Sequence, residues 1–256
     1  MNVKSASGLT LVELIVVVGI AVVLVMALCP VTVNDSLLDS MAAVGMRGRD
    51  IFVAIEGANT ERKALGLPPV WPCDFDPATV TNAEERALMG ASNSSDFFRM
   101  LYDEERLGAS DWAPYVAGFD YAKLAGAGVP ANMCGQGLRA TNNMWTVAKN
   151  VRDDMDDVIP VLITRNIDAS SLAARAGDRD LAERSLRFDS AWTTPFGRKG
   201  YVLIRKGGAM FKARPKYMPW RVVYNNQAFD TALTTNGAAV PLLKYLTPDR
   251  EVVPGS

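Results

Sequence analysis

Four aspartates within five residues, Asp153, Asp154, Asp156 and Asp157, form the densest set of potential metal ligands in this chain. Calcium takes about six to eight oxygen ligands, and an acidic loop can supply several of them. The run lacks the glycine and terminal glutamate of an EF-hand, and Arg152 and Arg165 are close enough in sequence to neutralise it. A solvated acidic turn between two strands is therefore the default; calcium is the alternative, and no other cofactor is expected. A second candidate is the basic run Lys206, Lys212, Arg214, Lys216 and Arg221, interleaved with Phe211, Tyr217 and Trp220. Cations mixed with aromatics can hold single-stranded nucleic acid through phosphates and stacking. Two neighbouring strands with charges outward and aromatics inward give the same pattern, and this reading is preferred.

Catalytic constellations are absent from the sequence. With no histidine at all, Ser-His-Asp and Cys-His catalysis, His-ligated zinc and imidazole pH switching all fall away. There is no Gly-x-Ser-x-Gly elbow, Ser-x-x-Lys pair or glycine-rich phosphate loop, and Gly126-Ala-Gly128 lacks the glycine that would follow it. The chain is read as a non-enzyme.

The remaining chemical oddity is Glu13. It is the one charge in the 21 residues from Leu9 to Cys29. As a helix that stretch is about 31 Å long, enough to cross a bilayer core. An unpaired acid at membrane depth costs about 2.5–3.5 kcal/mol, so Glu13 needs a partner or a purpose. A secretory signal peptide would be cut after the apolar region, where Ala27-Leu28-Cys29 is followed by Pro30. A lipoprotein signal would acylate Cys29 but has Leu28 where a small residue is expected. A plain signal anchor accounts for the run and leaves Glu13 without a role.

Gly8, the apolar tetrad Leu9-Thr10-Leu11-Val12, Glu13 and the uninterrupted apolar run to Cys29-Pro30 resemble the processing site of type IV prepilins and type II secretion pseudopilins. The resemblance implies cleavage between Gly8 and Leu9 by a prepilin peptidase and N-methylation of Leu9, which stands where the family usually has Phe or Met. Glu13 then becomes the fifth residue of the mature chain. It also implies that Glu13 of one subunit neutralises the new amine of its neighbour, so that two costly charges cancel only at the correct axial offset.

Lys4 precedes the apolar run, while Asp35 and Asp39 follow it, which places the N-terminus in the cytoplasm and the remainder in the periplasm as a single-pass inner-membrane protein. The net charge of −1 argues against a broadly basic surface, and nucleic acid is not expected as a partner. Of three cysteines, Cys29 falls in the membrane run. Cys73 and Cys134 can pair in an oxidising compartment, closing a loop of about 60 residues worth about 2–4 kcal/mol, or remain two buried thiols.

Elements follow from the periodicity. Leu37, Met41, Val44, Gly48, Ile51/Phe52 and Ile55 mark one stripe of an amphipathic helix that continues beyond Pro30, a kink site, and stops near Gly57 or Gly66, before Pro68-Pro69. Gly45 and Gly48 lower helix propensity and predict a bend or a melted stretch. Thr81-Asn-Ala-Glu84 reads as a capping box opening a helix through Met89, and Ser95-Asp96 opens another, with Phe97, Phe98, Leu101 and Tyr102 on its buried side. Residues 108–142, rich in Gly, Ala, Pro and Asn, read as an irregular insertion. Strands are predicted at 144–148, 158–164 and 220–224, a helix at about 168–187, and a Gly-Gly hairpin joining 201–205 to 209–212. The turn Trp192 to Gly197 and the strand after it loosely resemble the pseudopilin C-terminal sheet.

The organisation is therefore a leader (1–8), a transmembrane or filament-core helix (9–29), an amphipathic extension (30–65) and a soluble head (66–256), in an α+β fold: a long N-terminal helix on an antiparallel-sheet head with irregular insertions. The resemblance implies a pseudopilin that polymerises through its N-terminal helix into a periplasmic filament promoting protein export. Its partners would be itself, other pseudopilins, a platform protein and an ATPase. A surface pilin that adheres to a ligand or captures DNA is the alternative.

Overall fold

The computed structural model describes residues 11–75, 78, 80–103, 138–151, 155–172, 185–215, 219 and 243–253, without the side chains of 13, 25–36, 84, 102 and 103. The chain divides into two compact units, Met1–Ser40 and Met41–Ser256. One helix, α1 (Leu11–Ala64), runs through both and is helical across Pro30, Gly45 and Gly48. The expected melting at the two glycines does not occur. Among the described residues no helix is long and apolar enough to cross a membrane. The stretch assigned to the bilayer includes Glu13 and residues 25–29, whose side chains lie outside the description.

Two signals end α1 together. Gly66 adopts φ +69°, and its N–H reaches the Lys63 carbonyl at 3.2 Å while Leu67 N–H reaches Arg62 at 2.9 Å. This is the paired closure in which a left-handed glycine caps the last free carbonyls. Pro68 and Pro69 then forbid continuation.

The second unit is built on six antiparallel strands: β1 (Trp145–Lys149), β2 (Pro160–Thr164), β3 (Tyr201–Arg205), β4 (Met210–Ala213), β5 (Lys244–Leu246) and β6 (Glu251–Val252). Their order is β4-β3-β2-β1-β5-β6. β1 to β3 are buried on both sides, since Trp145 and Leu162 are as fully buried as Ala148 and Ile163, and they carry Thr146, Lys149 and Thr164 into the interior with them. α1 lays Met41, Val44, Ile51, Phe52, Ile55 and Ala58 into this core. A Cβ at Gly48 would stand 2.5 Å from Trp145 Cη2, and one at Gly45 would strike Met210. The two glycines thus let helix and sheet approach closely, and tertiary packing overrides their low propensity.

Two short helices flank the sheet, α2 (Ala83–Met89) and α3 (Ser94–Asp103). The α2 cap is Asn82 rather than Thr81: its carbonyl takes Arg86 N–H at 3.1 Å and its side chain faces Glu85 N–H at 3.5 Å. α3 begins on Asn93, whose Oδ1 accepts from Asp96 N–H at 2.8 Å. Ser94 Oγ donates to the Trp145 carbonyl and Ser95 Oγ to that of Pro248, fastening α3 to β1 and to the β5–β6 turn. The helix expected at 168–187 is, in its described part, a single 3-10 turn at Ala169–Ser171, with Ile167 bridging Phe188 in extended backbone. The strand expected at 220–224 and nearly all of the insertion at 108–142 lie outside the described residues.

Candidate functional site

In the first unit, α1 turns apolar side chains outward on every turn. Eleven large ones between Leu11 and Leu24 are exposed, from 47 % at Val22 to 74 % at Leu11. Soluble monomers rarely leave a contiguous apolar surface of that extent uncovered, so this helix is built to be covered by lipid or protein. Gly8 and Leu9 lie outside the described residues, as does the Glu13 side chain.

The second unit contains a charged square that the sequence did not single out. Lys149 on β1 places Nζ 2.7 Å from Glu251 and 3.0 Å from Asp74; Lys244 on β5 places its own 2.7 Å from Asp74 and 3.0 Å from Glu251. Charges alternate around the four corners. Asn150, at φ +71°, completes the assembly: its N–H reaches the Pro72 carbonyl and its side chain exchanges hydrogen bonds with Asp74. Burial alone would raise the Asp74 carboxyl, but hydrogen bonds from Lys244, Asn150 and Lys149 outweigh it and hold Asp74 well below the usual carboxylate range. Glu251 is lowered for the same reason: burial opposes the shift, and hydrogen bonds from Lys149 and Lys244 prevail. With both acids neutralised by ammonium groups, the square is a strap on the segment after α1 and has no vacancy for a metal.

Cys73 sits beside this strap as a free, half-buried thiol. Burial pushes its pKa up against the pull of Lys149, which makes it a poor nucleophile at neutral pH. Cys134, its expected partner, lies outside the described residues.

Of the acidic run, Asp156 and Asp157 are described, while Asp153 and Asp154 lie outside. Asp156 Oδ1 accepts from Val158 N–H at 2.9 Å and shapes the turn into β2; Asp157 faces Lys206 at 3.4 Å. Among the described residues no three His, Cys, Asp or Glu side chains are grouped to hold a metal ion. Arg165, considered above as a neutraliser of this run, instead serves the opposite end of β2. Its Nη1 donates to the carbonyls of Ala140, Thr141 and Asn143, its other nitrogens reach Thr194, and its guanidinium lies 4.6 Å from the centre of the Trp192 ring.

The basic-aromatic run does not form one surface in its described part. Lys206 sits at the β3–β4 turn against Asp157, whereas Lys212 and Arg214 lie at the far end of β4. Phe211 is half-buried, with the Arg205 guanidinium 5.2 Å from its ring centre. Lys216, Tyr217, Trp220 and Arg221 lie outside the described residues. No family model, curated protein or solved structure matches this chain.

Proposed function

We propose that this chain is a pilin-like subunit, made as an inner-membrane precursor, cut after Gly8 and assembled through its N-terminal helix into a periplasmic filament of the type II secretion kind. The observation that carries the proposal is the combination of Glu13, the only charge between Leu9 and Cys29, with the apolar surface that α1 exposes from Leu11 to Leu24. A bilayer can store that surface, and packing between subunits can bury it again at about 25 cal/mol per Å². A lone acid in the same stretch then needs a cation, and cleavage at Gly8 creates one at the Leu9 amine. Glu13 of one subunit selects the register in which the next one docks.

The second unit supports this reading by its construction. An antiparallel sheet carries the buried stripe of α1 from Met41 to Ala58, the layout the resemblance leads one to expect of a pilin-like head. The reading assigns no chemistry to the head: assembly is the activity, and the peptidase, platform protein and ATPase are the partners it requires.

The test is the mass of the N-terminal peptide from membrane-extracted protein made with its processing peptidase present. A chain beginning at N-methylated Leu9 supports the proposal. A chain that retains Met1 to Gly8, or one that starts at or after Cys29, overturns it.

A further inference from the structure

Charge is distributed unevenly between the two ends of the sheet. At one end lie the β1–β2 and β3–β4 turns, with Asp156, Asp157 and Lys206. The other end gathers the segments before β1, after β2, before β3 and after β4. Strand register brings them together: Trp145 pairs with Thr164, and Tyr201 with Ala213. Arg165 and Asn166 tie the segments to one another through carbonyls at 140, 141, 143, 194, 197 and 200.

This second end carries Arg139, Arg187, Arg198, Lys199, Lys212 and Arg214, all exposed except the half-buried Arg214. Of the described acids here one is paired with a cation and two, Asp189 and Asp249, are held by hydrogen bonds alone. Asp249 is held by Thr247 Oγ1 at 2.7 Å in the β5–β6 turn beside Trp145, while Asp39, two residues before Met41, is exposed. Asp168 pairs with Arg187 at 3.0 Å, and Asp189 accepts from the N–H groups of Ala191 and Trp192. Among the described residues the other five cations have no carboxylate partner. Met41, the first residue of the second unit, packs at this same end: its Sδ would lie 2.9 Å from a Cβ on Gly200, and the Ala213 carbonyl 3.0 Å from it. Only eleven residues, 30–40, separate Met41 from Cys29, the last residue of the apolar run.

We propose that this basic end, centred on Arg198, Lys199, Lys212 and Arg214, is a docking surface for the anionic phospholipid headgroups of the bilayer that anchors the chain. The inference rests on the membrane placement of residues 9–29 proposed above. A tether of eleven residues keeps the cations near that bilayer, and each Lys or Arg held at an anionic surface contributes about 1 kcal/mol. Five cations without a carboxylate partner among the described residues repel one another. Headgroup phosphates relieve that repulsion, and a head held flat on the membrane is a stored subunit that a filament must detach before adding.

The test uses the full chain mixed with phosphatidylcholine vesicles, with and without about one third phosphatidylglycerol. Amine acylation is followed by mass spectrometry at Lys199 and Lys212, with Lys63 at the far end of α1 as the internal reference. The expected result is insertion into both vesicles, with acylation of Lys199 and Lys212 about tenfold slower in the anionic ones. Added salt should restore the rate by screening, and Arg198→Gln should weaken the protection at Lys212. Equal acylation in both vesicles, with the chain inserted, overturns the inference and leaves the anchor standing. Failure to insert in either overturns the anchor, and the inference with it. Protection conferred by a single-stranded oligonucleotide on neutral vesicles, without any effect of phosphatidylglycerol, overturns it in favour of a nucleic-acid surface.

Discussion

Replacing Gly48 with alanine sets two effects of known size against each other. In an isolated helix the change is favourable by about 1 kcal/mol, because alanine loses less backbone freedom on folding. In this fold the new methyl would stand 2.5 and 2.9 Å from Trp145 Cη2 and Cζ2 and 3.1 Å from Ile204 Cγ1. Trp145 and Ile204 are fully buried, so neither can swing aside. Overpacking costs about 1–3 kcal/mol, and a 2.5 Å contact with an immobile ring belongs in the upper half of that range, about 2–3, which leaves a net loss of about 1–2 kcal/mol after the helix gain. Gly57 provides the control on the same helix: nothing lies within 4 Å of its Cβ position, so Gly57→Ala should gain about 0.5–1 kcal/mol. At about 2–4 °C per kcal/mol for a chain of this size, the two variants should melt on opposite sides of wild type, roughly 3–12 °C apart. Thermal unfolding of the full chain in detergent, followed by near-ultraviolet circular dichroism of the buried tryptophans, reads this directly. If Gly48→Ala melts at or above wild type, the close approach of α1 to β1 is not what the glycine serves.

The square of Asp74, Lys149, Lys244 and Glu251 gives the head a stability plateau in pH. Asp74 and Glu251 have folded pKa values below their unfolded ones, so their contribution is complete above about pH 5 and is lost as pH falls through the folded values. Lys244 is raised (burial opposes, while Asp74 and Glu251 prevail), so its contribution is present below about pH 10 and lost above it. Urea midpoints against pH should therefore be flat between about 5 and 9, and Asp74→Asn should lower the plateau and flatten its acid limb. An acid limb as steep as wild type in that variant would remove the square from the account. Arg165→Met should cost about 2–4 kcal/mol, because it strands the buried carbonyl of Asn143 and frees the loops at 139–143 and 192–197. Hydrogen exchange of those loops should rise together; if they respond separately, Arg165 is not their common tie.

Much of the architecture was legible because it rests on local rules. α1 is capped by Gly66, the second of the two glycines expected to stop it, before Pro68-Pro69, and the strands expected at 144–148, 158–164 and 201–205 are found at 145–149, 160–164 and 201–205, almost wholly buried. Misses fell where two local rules compete. Thr81 and Asn82 are both good caps, and the helix chose the second. At Ala169–Ser171, the described start of the segment expected to be helical at 168–187, Asp168 bonds to Ser170 and Ser171 bonds back to Asp168, which stabilises a 3-10 turn. β5 and β6, three and two residues long, are too short to carry any periodicity, so their part in the charged square could not be foreseen.

The candidate sites show why residue type alone misleads. Reading by type picked out acids as metal ligands, cations with aromatics as a nucleic-acid surface, and cysteines as a bridge. Folding assigns several of those groups to one another: Asp157 faces Lys206, Arg165 is occupied by carbonyls and Trp192, and Arg205 stacks on Phe211. A charge that is neutralised within the fold has little free energy left to give a ligand. The groups worth testing are those left after that subtraction, and they fall in two places. One is the apolar surface exposed from Leu11 to Leu24; the other is the basic end at Arg198, Lys199, Lys212 and Arg214, whose cations have no carboxylate partner among the described residues. A bilayer containing anionic lipid would supply both, so the proposals name a single partner for two surfaces that share no residue, and the second can fail while the first stands.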